Sequence, residues 1–560
     1  MATRPTRPVV LFTPLSILIT AVLVAQSTPG PAMAARNLAF VNGRVFDGQR
    51  FVVEPLYVTA DGLFSRSRPT GAEVVDLAGG YVVPPFGEGH NHNVDSEAAI
   101  DRYLKTGIFY VFNPNTHPGQ HSMLPSRLNT PAGVDVQLAG GGLTGTGGHP
   151  IFVVQRNIDR KIWTEADGDG AFYHTIDSAD DLARKWPAIL AGRPDFIKIY
   201  LLYSDEFASR RDDPAFIGWK GLDPALVPLI VQRARGSGLR VAAHVETAAD
   251  FRAAVRGGVD IVAHLPGFRP ALTEPPFYRN LDAHRLTAAD ARDAARRRVT
   301  VVPTVSDLLT ATERRLRGFT PSDAEAFRAL IRGNLSVLKA AGVSIALGSD
   351  NYSITSEAEA RTIGALGLFS PLEILQMWSV VTPRMIFPAR RIARLEPGYE
   401  ASFLVLDGDP TQSVDNLFRI TTRVKQGVAL PSAPVAAPTT AAKVSVSVTQ
   451  GDLVPLCLNG AAVAGDQRGW EVDQREQVLA FTMRNRPRTR QVAEGTPGIA
   501  VIRFTPEPGH RYEVEVRTSS PMSSSTRIWQ RGEWTPVVRD RTLDRIVSGE
   551  PEWVSSCTRG

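Results

Sequence analysis

The sequence predicts a mixed α/β protein built on a parallel (β/α)8 barrel of the TIM type, with a small β-sandwich contributed by both flanks of the barrel and an all-β C-terminal domain. Three observations predict this fold. Eight short apolar runs alternate with helical stretches between residues 81 and 347, β-rich pieces lie on both sides of that region, and residues 443–560 contain alternating strands without a long helical period.

Residues 1–34 have the layout of an export signal. Two arginines precede an apolar run at 9–24, and Ala32-Met33-Ala34 provides an Ala-x-Ala cleavage site. Cleavage would give a secreted or periplasmic protein without a stable membrane span. The alternative is an uncleaved anchor helix, although the run is shorter than the roughly 20 apolar residues that a span needs.

The flanking sandwich is predicted from residues 35–80 and 389–430, where short β-rich pieces are separated by Gly and Asp turns. The barrel occupies residues 81–388. Its eight predicted strands are 81–84, 109–112, 134–138, 196–201, 240–243, 261–263, 300–303 and 344–347. Helix signals separate these runs; for example, Thr247 with Asp250 is typical of a capping box at a helix start.

A Pro-, Ala- and Thr-rich linker at residues 431–442 precedes a β-rich domain of unknown role at 443–560. The chain has two cysteines, Cys457 and Cys557, both in this last domain. An oxidising destination would permit a disulfide bond between them, and metal binding is the alternative.

Charge and composition limit the class of partner. The 62 basic and 57 acidic residues leave a formal charge of +5, which is small for 560 residues and does not indicate a nucleic-acid partner. We expect a small-molecule substrate, and the sequence leaves a homo-oligomer open. Only eight of the basic residues are lysines, which draws attention to each of them.

Four histidines and one aspartate stand at the ends of predicted strands. His90 and His92 follow the first run, His244 and His264 end the fifth and sixth, and Asp350 follows the eighth. Barrel active sites lie at the C-terminal ends of the strands, so these side chains are predicted to meet. Alternation along an extended chain turns both imidazoles of His90-x-His92 to one side, where they can share a metal ion.

Lys198 lies inside the apolar run 196–201, where a charged ammonium group would be costly to bury. One interpretation is a lysine that reaches the barrel rim or pairs with an acid. The other is a neutral amine that adds carbon dioxide and becomes a carbamate, an anionic bridge between two metal ions.

Taken together, these residues resemble the amidohydrolase superfamily over roughly residues 36–430. The strand-four lysine resembles the binuclear members with a carboxylated lysine. Gly147-Gly148-His149 resembles the dipeptidase, prolidase-like and imidazolonepropionase-related members, whose histidine at this position meets the substrate carbonyl. The chain departs from the family pattern in the residues before His90, where many members have Leu-Ile-Asp and this chain has Phe86 and Glu88. We expect this difference to alter the first turn of the pocket.

The resemblance implies two divalent ions, with carboxylated Lys198 as the bridge, His90, His92 and Asp350 on one ion, and His244 and His264 on the other. Zinc is the first choice because imidazole and carboxylate ligands suit it; manganese, cobalt and iron stay open. A hydroxide between the ions would be the nucleophile. Asp350 would act as general base and then general acid, and His149 would stabilise the oxyanion.

The predicted function is therefore an exported metal-dependent hydrolase that cleaves an amide C–N bond in a dipeptide, an N-acyl amino acid or a cyclic amide. Candidate substrate-binding residues are Tyr200, Tyr203, His117 and Asn115, for which packing or loop capping is the alternative. Two other functions remain open: hydrolysis of an ester, lactone or phosphoester by the same centre, and a catalytically silent barrel that serves as a binding module.

Overall fold

The structure is a computed structural model in which the chain divides into two units, Met1–Ala433 and Pro434–Gly560. It describes residues 36–117, 124, 126–159, 162–267, 280–306, 321–352, 354–430, 444–448, 453–459, 461–462, 469–472, 477–483, 499–506, 510, 512–518, 534–542, 545–548 and 551–554. The predicted signal at 1–34 lies outside the described residues, and so does the predicted linker at 431–442. Within the described residues, no helix is long and apolar enough to cross a membrane.

Unit 1 begins with seven short strands: β1 (Leu38–Val41), β2 (Arg44–Phe46), β3 (Phe51–Val53), β4 (Leu56–Val58), β5 (Phe64–Ser65), β6 (Glu73–Asp76) and β7 (Tyr81–Val83). Four of them form a sheet in the order β5-β4-β1-β6. Its inner face packs around buried apolar side chains such as Phe40 and Val58.

Ten parallel strands follow: β8 (Phe86–Glu88), β9 (Ile108–Asn113), β10 (Asp135–Leu138), β11 (Gly142–Thr144), β12 (Tyr173–Thr175), β13 (Ile197–Tyr200), β14 (Val241–His244), β15 (Ile261–Ala263), β16 (Thr300–Val302) and β17 (Ser344–Ile345). They form two sheets, β10-β9-β8 and β12-β11-β13-β14-β15-β16-β17. Backbone hydrogen bonds connect the first strand region to the last, because Gly89 N donates to Leu347 O and Asp350 N donates to His90 O, both at 2.7 Å.

Three strands after this region, β18 (Phe403–Leu406), β19 (Ile420–Lys425) and β20 (Val428–Ala429), join N-terminal strands in a sheet of order β20-β19-β18-β7-β2-β3. The assignment of 81–84 as the first barrel strand was wrong, since β7 pairs with β2 and β18. Pro84 and Pro85 lack backbone N–H groups and end its ladder. The first strand of the parallel region β8–β17 begins after them at Phe86.

Two parallel strands, β11 and β12, have no counterpart among the predicted runs. Each is three residues long, and their sequences, Gly-Leu-Thr and Tyr-His-Thr, lack the continuous apolar character used to find buried strands. As a result, His149 follows β11 and not the predicted third strand at 134–138.

The helices of unit 1 are α1 (Glu97–Lys105), α2 (Ile151–Asp159), α3 (Ala179–Ala191), α4 (Phe207–Arg210), α5 (Val227–Gly236), α6 (Ala248–Gly257), α7 (Ala288–Arg296), α8 (Pro321–Ala340), α9 (Ser356–Ala365), α10 (Pro371–Gln376) and α11 (Thr382–Ile386). Short 3-10 turns occur at Glu165–Asp167, Pro214–Phe216, Pro224–Leu226, Leu281–His284 and Val414–Phe418, and a π-helical segment at Met377–Val381. Helix α6 begins with the predicted capping box, in which Thr247 accepts from Asp250 N. It ends at Gly258, whose φ of 90° is left-handed and suits glycine.

In unit 2, every helix or strand assigned within the described residues is a strand: β21 (Val444–Val448), β22 (Leu453–Leu458), β23 (Ala461–Ala462), β24 (Gly469–Val472), β25 (Gln477–Met483), β26 (Ile499–Phe504), β27 (Tyr512–Thr518), β28 (Trp534–Asp540), β29 (Arg545–Ile546) and β30 (Glu552–Val554). They form two five-stranded sheets, β24-β21-β27-β28-β29 and β23-β22-β25-β26-β30. Cys457 on β22 is buried and disulfide-bonded, whereas its predicted partner Cys557 lies outside the described residues.

A buried ionic network connects β10 to the flanking sheet. The Lys425 amine donates to Asp135 at 2.6 Å and to the carbonyl oxygens of Thr130 and Gly133 at 2.7 and 2.8 Å. Arg390 reaches the other oxygen of Asp135 at 2.8 Å. The side chains of Lys425 and Asp135 are 0% and 2% exposed. All three donor positions of this buried lysine are therefore used.

Replacing Lys425 with methionine is expected to lower the free energy of unfolding by about 3 kcal/mol, because it leaves a buried carboxylate with one cation in place of two. Chemical denaturation of the purified variant measures this loss. The matched control is Arg36→Gln, which breaks an ion pair whose side chains are 52% and 57% exposed. That control should change the unfolding free energy by less than about 1 kcal/mol. Equal losses in the two variants would contradict the assignment of Lys425 as a buried structural cation.

Candidate metal centre

The five metal ligands that were predicted at strand ends lie together at one end of the parallel strands. They are His90, His92, His244, His264 and Asp350. His90 and His92 follow β8, and Asp350 follows β17; Asp350 Oδ1 lies 3.6 Å from His90 Nε2 and 3.3 Å from His92 Nε2. The ligand atoms of these three residues all lie within 4.8 Å of one another, a spacing that could hold a metal ion. The His264 ring extends the cluster, with its centroid 4.6 Å from that of His90 and 4.5 Å from that of His244.

The backbone is unusual at two of these positions. Asp350 has a φ of 46° and His264 a φ of 77°, both in the left-handed region that side-chain-bearing residues rarely adopt. Asp350 is held there in part by the hydrogen bond from its N–H to His90 O. Such conformations persist where the surrounding structure imposes them, and they concentrate at functional sites.

Polar partners orient three of the imidazoles. A contact to one nitrogen of each ring limits its rotation, as is usual for histidines that bind metal ions. These contacts are His92 Nδ1 donating to Asn115 O at 3.2 Å, His244 Nε2 donating to Glu246 Oε1 at 3.1 Å, and His264 Nδ1 with Thr304 Oγ1 at 2.7 Å.

Lys198 lies on β13 beside this cluster, with its Nζ 5.4 Å from the centroid of the Tyr200 ring. Its side chain is fully buried, and its Nζ has no hydrogen-bond partner among the described residues, in contrast to Lys425. Burial lowers the pKa of the Lys198 amine to about 7, with a smaller opposing effect from the Asp350 carboxylate. A substantial fraction of the amine is therefore neutral near neutral pH, which is the form that can add to carbon dioxide.

Small residues lie on both sides of Lys198. In the sheet register Lys198 pairs with Ala242 of β14, and the pairing of Leu143 with Ile199 places Gly142 of β11 on the other side. A Cβ atom added to Gly142 would overlap the ring of Tyr200. Four imidazoles, one carboxylate and a buried amine that has no hydrogen-bond partner in the described part of the chain form a donor set that suits divalent metal ions.

His149 and Tyr200 lie on one side of this donor set. The His149 ring centroid is 5.0 Å from that of His244 and 5.1 Å from that of Tyr200, and Tyr200 is 5.6 Å from His244. The structure therefore brings both residues to the centre, together with Asn115, whose carbonyl group holds His92.

Two other predicted substrate-binding residues have different partners. The Tyr203 ring packs under Arg210, whose guanidinium carbon lies 3.6 Å from the ring centroid. His117 Nε2 lies 2.8 Å from Asp167 Oδ1, and its ring stacks on Trp163. Neither contact includes a residue of the metal centre.

The two residues that depart from the family pattern are both fully buried. Phe86 stacks on Trp378 with ring centroids 3.8 Å apart, so it belongs to the core and not to the pocket. The Glu88 carboxyl accepts hydrogen bonds from Ser349 N at 2.8 Å and Ser356 N at 2.6 Å. Glu88 therefore connects the strand before His90 to the segment around Asp350. Burial raises the pKa of Glu88 to about 8.

Three residues near the centre were not identified from the sequence: Glu246, Thr304 and Tyr352. The His-x-Glu spacing of His244 and Glu246 was a usable signal, because His244 ends β14 and Glu246 follows it two positions later. Thr304 is 40 positions from the histidine that it contacts, and no local pattern identifies it. Tyr352 is 59% exposed, and its ring lies 6.1 Å from that of His92.

Glu359 on α9 is a second buried carboxyl group close to the strand ends. It accepts from Val305 N at 3.0 Å and from Ser306 N at 2.6 Å, and so it holds the segment that follows β16. Burial raises the pKa of Glu359 from 4.5 to about 7, although the backbone hydrogen bonds act in the opposite direction.

This shift predicts a pH-dependent stability. The pKa of Glu359 is higher in the folded than in the unfolded chain, so its contribution is complete below about pH 4.5 and is lost as the pH rises through 7. The midpoint of thermal unfolding should fall between pH 5 and pH 8, and this fall should be smaller in Glu359→Gln, whose side chain does not titrate. Glu357→Gln on the same helix is the control. A Glu359→Gln variant with the pH profile of the parent would contradict this assignment.

Comparison with solved structures gives the class of fold. A crystal structure of an amidohydrolase matches with a TM-score of 0.54 and 22% identity, over 70% of this chain and 98% of that chain. A prolidase complexed with N-methylphosphonate-L-proline matches with a TM-score of 0.53 and 18% identity, over 70% and 99% of the two chains. Molinate hydrolase matches with a TM-score of 0.54 and 15% identity, over 73% and 98%.

Over about 70% of its length the chain is therefore similar in fold to these amidohydrolase structures, which imply a TIM-barrel-like domain. Neither a protein-family model nor a curated relative matches the sequence. The similarity to known proteins is therefore one of tertiary structure. Function must be inferred from the residues of the site, because one fold can host many functions.

Proposed function

We propose that this protein is a metal-dependent hydrolase that cleaves amide C–N bonds in small molecules. The observation that carries the proposal is Lys198, a buried lysine without a hydrogen-bond partner among the described residues, whose Nζ lies 5.4 Å from the centroid of the Tyr200 ring and interacts electrostatically with Asp350. The neighbours support this reaction class, since one is named as an amidohydrolase and another as a Xaa-Pro dipeptidase. We propose dipeptides, N-acyl amino acids or cyclic amides as substrates.

The residues that would hold the metal ions are those of the sequence prediction. His90, His92 and Asp350 would bind one divalent ion, His244 and His264 the other, and carboxylated Lys198 would bridge them, with zinc as the first choice. When bound, such ions lower the pKa of a coordinated water and polarise a carbonyl group. The carbamate would form by attack of the neutral Lys198 amine on carbon dioxide, which makes an N–C bond and releases one proton.

The chain itself would supply proton transfer and oxyanion binding. Asp350 would accept a proton from the attacking water and deliver it to the nitrogen of the leaving amine as the C–N bond breaks. His149, next to His244, would donate a hydrogen bond to the carbonyl oxygen as negative charge develops there. Glu246 and Thr304 would keep the ligand rings oriented throughout the cycle.

We also propose a finer architecture and a location. The hydrogen bonds that join the segment after β8 to the segment after β17 support one distorted barrel of the (β/α)8 type, and the ten described strands of unit 2 support an all-β domain. Export, with cleavage after Ala34, is proposed from the sequence of residues 1–34. A mature N-terminus at Ala35, read by mass spectrometry of protein expressed in a bacterial host, would support export with cleavage; a chain that keeps residues 1–34 and is found only in the cytoplasm would contradict export.

Metal analysis and substrate profiling test the function. Protein purified with zinc and bicarbonate should contain two divalent ions per chain by elemental analysis, and it should hydrolyse members of a panel of dipeptides, N-acyl amino acids and cyclic amides. Less than one ion per chain would contradict a binuclear centre. Turnover restricted to esters, lactones or phosphoesters would contradict amide hydrolysis.

A further inference from the structure

A cavity of about 530 Å³ lies between the β10–β11 segment, β12 and the C-terminal end of α3. All the residues that line it belong to unit 1. Glycines and alanines make up much of this lining, and their small size leaves the space unfilled. The volume falls within the range of roughly 300–1,000 Å³ that is usual for small-molecule pockets.

The cavity and the metal centre lie on opposite sides of the segment that leads into β11. A Cβ atom added to Gly142 would overlap the ring of Tyr200, which lies beside His244 of the metal centre. A Cβ atom added to the preceding Gly141 would instead lie 3.0 Å from His174 Nε2, and both Gly141 and His174 line the cavity. Neighbouring residues along an extended chain face opposite sides, so the cavity is separate from the metal centre.

His174 on β12 is the buried polar side chain of this cavity. It is 8% exposed and has no hydrogen-bond partner among the described residues. A ligand can reach its ring nitrogens, since neither is among the fully enclosed unpartnered atoms of the described residues. Burial lowers the pKa of His174 below its ordinary value, so the ring is neutral at neutral pH. A neutral imidazole offers one N–H donor and one acceptor, and buried polar groups normally have partners.

The remaining lining determines which ligand fits. Val136, Leu138 and Ile189 are buried apolar residues that line the cavity. The charged residues in the lining are Arg193 and Asp195, which are both exposed and carry opposite charges. The Asp195 carboxylate also accepts a hydrogen bond from Leu138 N at 2.8 Å. The lining therefore combines apolar walls and a neutral imidazole with no net charge.

We propose that this cavity is a second ligand site, which binds an uncharged small molecule with an aromatic or aliphatic body and one hydroxyl group. The apolar walls contact the body, and His174 forms a hydrogen bond with the hydroxyl. Because a hydroxyl both donates and accepts, it suits either tautomer of the ring. A charged ligand would lose its hydration without gaining an opposite net charge from the lining. The inference does not depend on the proposed function.

Three probes with the same ring system test the class of ligand. 2-Naphthol has a hydroxyl group, naphthalene has no polar group, and 2-naphthoate has a carboxylate. Equilibrium dialysis against the metal-loaded full chain gives the dissociation constant of each probe. 2-Naphthol should bind about threefold to tenfold more tightly than naphthalene, which corresponds to one hydrogen bond, and 2-naphthoate should bind more weakly than 2-naphthol.

Two variants test the place of binding. His174→Phe keeps an aromatic ring and removes both nitrogens, so the preference for 2-naphthol over naphthalene should disappear. Ala188→Trp fills the cavity from an exposed position on α3 and should abolish binding of all three probes. The matched control is Ala183→Trp, an exposed residue of the same helix outside the lining, which should bind like the parent. Lys198→Ala in the metal centre should also retain the parental affinities.

Failure of 2-naphthol to bind the parent would overturn the proposal, and so would parental affinity in Ala188→Trp. Binding that is lost in Lys198→Ala and retained in Ala188→Trp would place the probe at the metal centre and would equally overturn it. Tightest binding of 2-naphthoate would contradict an uncharged ligand. If 2-naphthol binding is lost only in the cavity variants while no amide of the panel is cleaved, the second site stands and the proposed function fails.

Discussion

Lys198→Ala is expected to lower the rate of amide hydrolysis by more than about 100-fold. Mutation of a residue that only contacts a metal ligand already lowers metal affinity or activity by roughly 10- to 100-fold, and Lys198 would itself supply a bridging ligand. The fold should survive, since the substitution removes a buried amine that no described residue binds. Steady-state kinetics and metal content per chain measure the effect, and both should decrease together.

Chemical rescue makes this experiment specific. Short carboxylic acids such as acetate or propionate fit the space vacated by the lysine side chain and should restore part of the activity, because their carboxylate can take the place of the carbamate. Lys339→Ala is the matched control, since this lysine lies at the surface and pairs with Glu373. Parental activity in Lys198→Ala would rule out the carbamate, and activity lost without any rescue would leave only a structural role for the lysine.

Asp350→Asn is expected to reduce kcat by about 1,000-fold, within the range that general acid–base catalysis contributes. Asparagine keeps the size of the side chain and an oxygen that can face the metal, but it does not accept the proton of the attacking water. Much of the bound metal should therefore remain while turnover is lost. Rapid-quench kinetics together with elemental analysis separate these two effects.

The control for this variant is Asp407→Asn, in which a 67% exposed aspartate that pairs with Arg419 is changed in the same way. This control should hydrolyse substrate at the parental rate. An Asp350→Asn protein that turned over as fast as the parent would exclude Asp350 as the proton carrier. Loss of all metal in that variant would show that Asp350 acts mainly as a ligand.

The two buried lysines, Lys198 and Lys425, show what local sequence can and cannot predict about a buried charged residue. Lys198 lies in the apolar strand β13, whereas Lys425 ends β19, whose sequence Ile-Thr-Thr-Arg-Val-Lys is mostly polar, and the sequence alone singled out only Lys198. The structure assigns Lys425 to an ionic network with Asp135, whereas Lys198 has no partner among the described residues. Partner choice depends on which distant residues pack nearby, and one-dimensional patterns do not contain that information.

The sequence by itself identified the types of the candidate metal-binding side chains and their placement at strand ends. Those positions follow from short apolar runs that end in a polar residue, as at His244, because a buried parallel strand must be apolar along its length. Strands without that character, such as β11, stayed hidden, and the run at 81–84 gave the wrong first strand.

Only the tertiary structure decided how the centre is held. Thr304 orients His264 from another strand end, and Glu88 connects the segments that carry His90 and Asp350. These contacts join residues 40 to 261 positions apart. They arise because parallel strands bring their C-terminal ends to one edge, where hydrogen bonds form according to packing in space and not according to spacing along the chain.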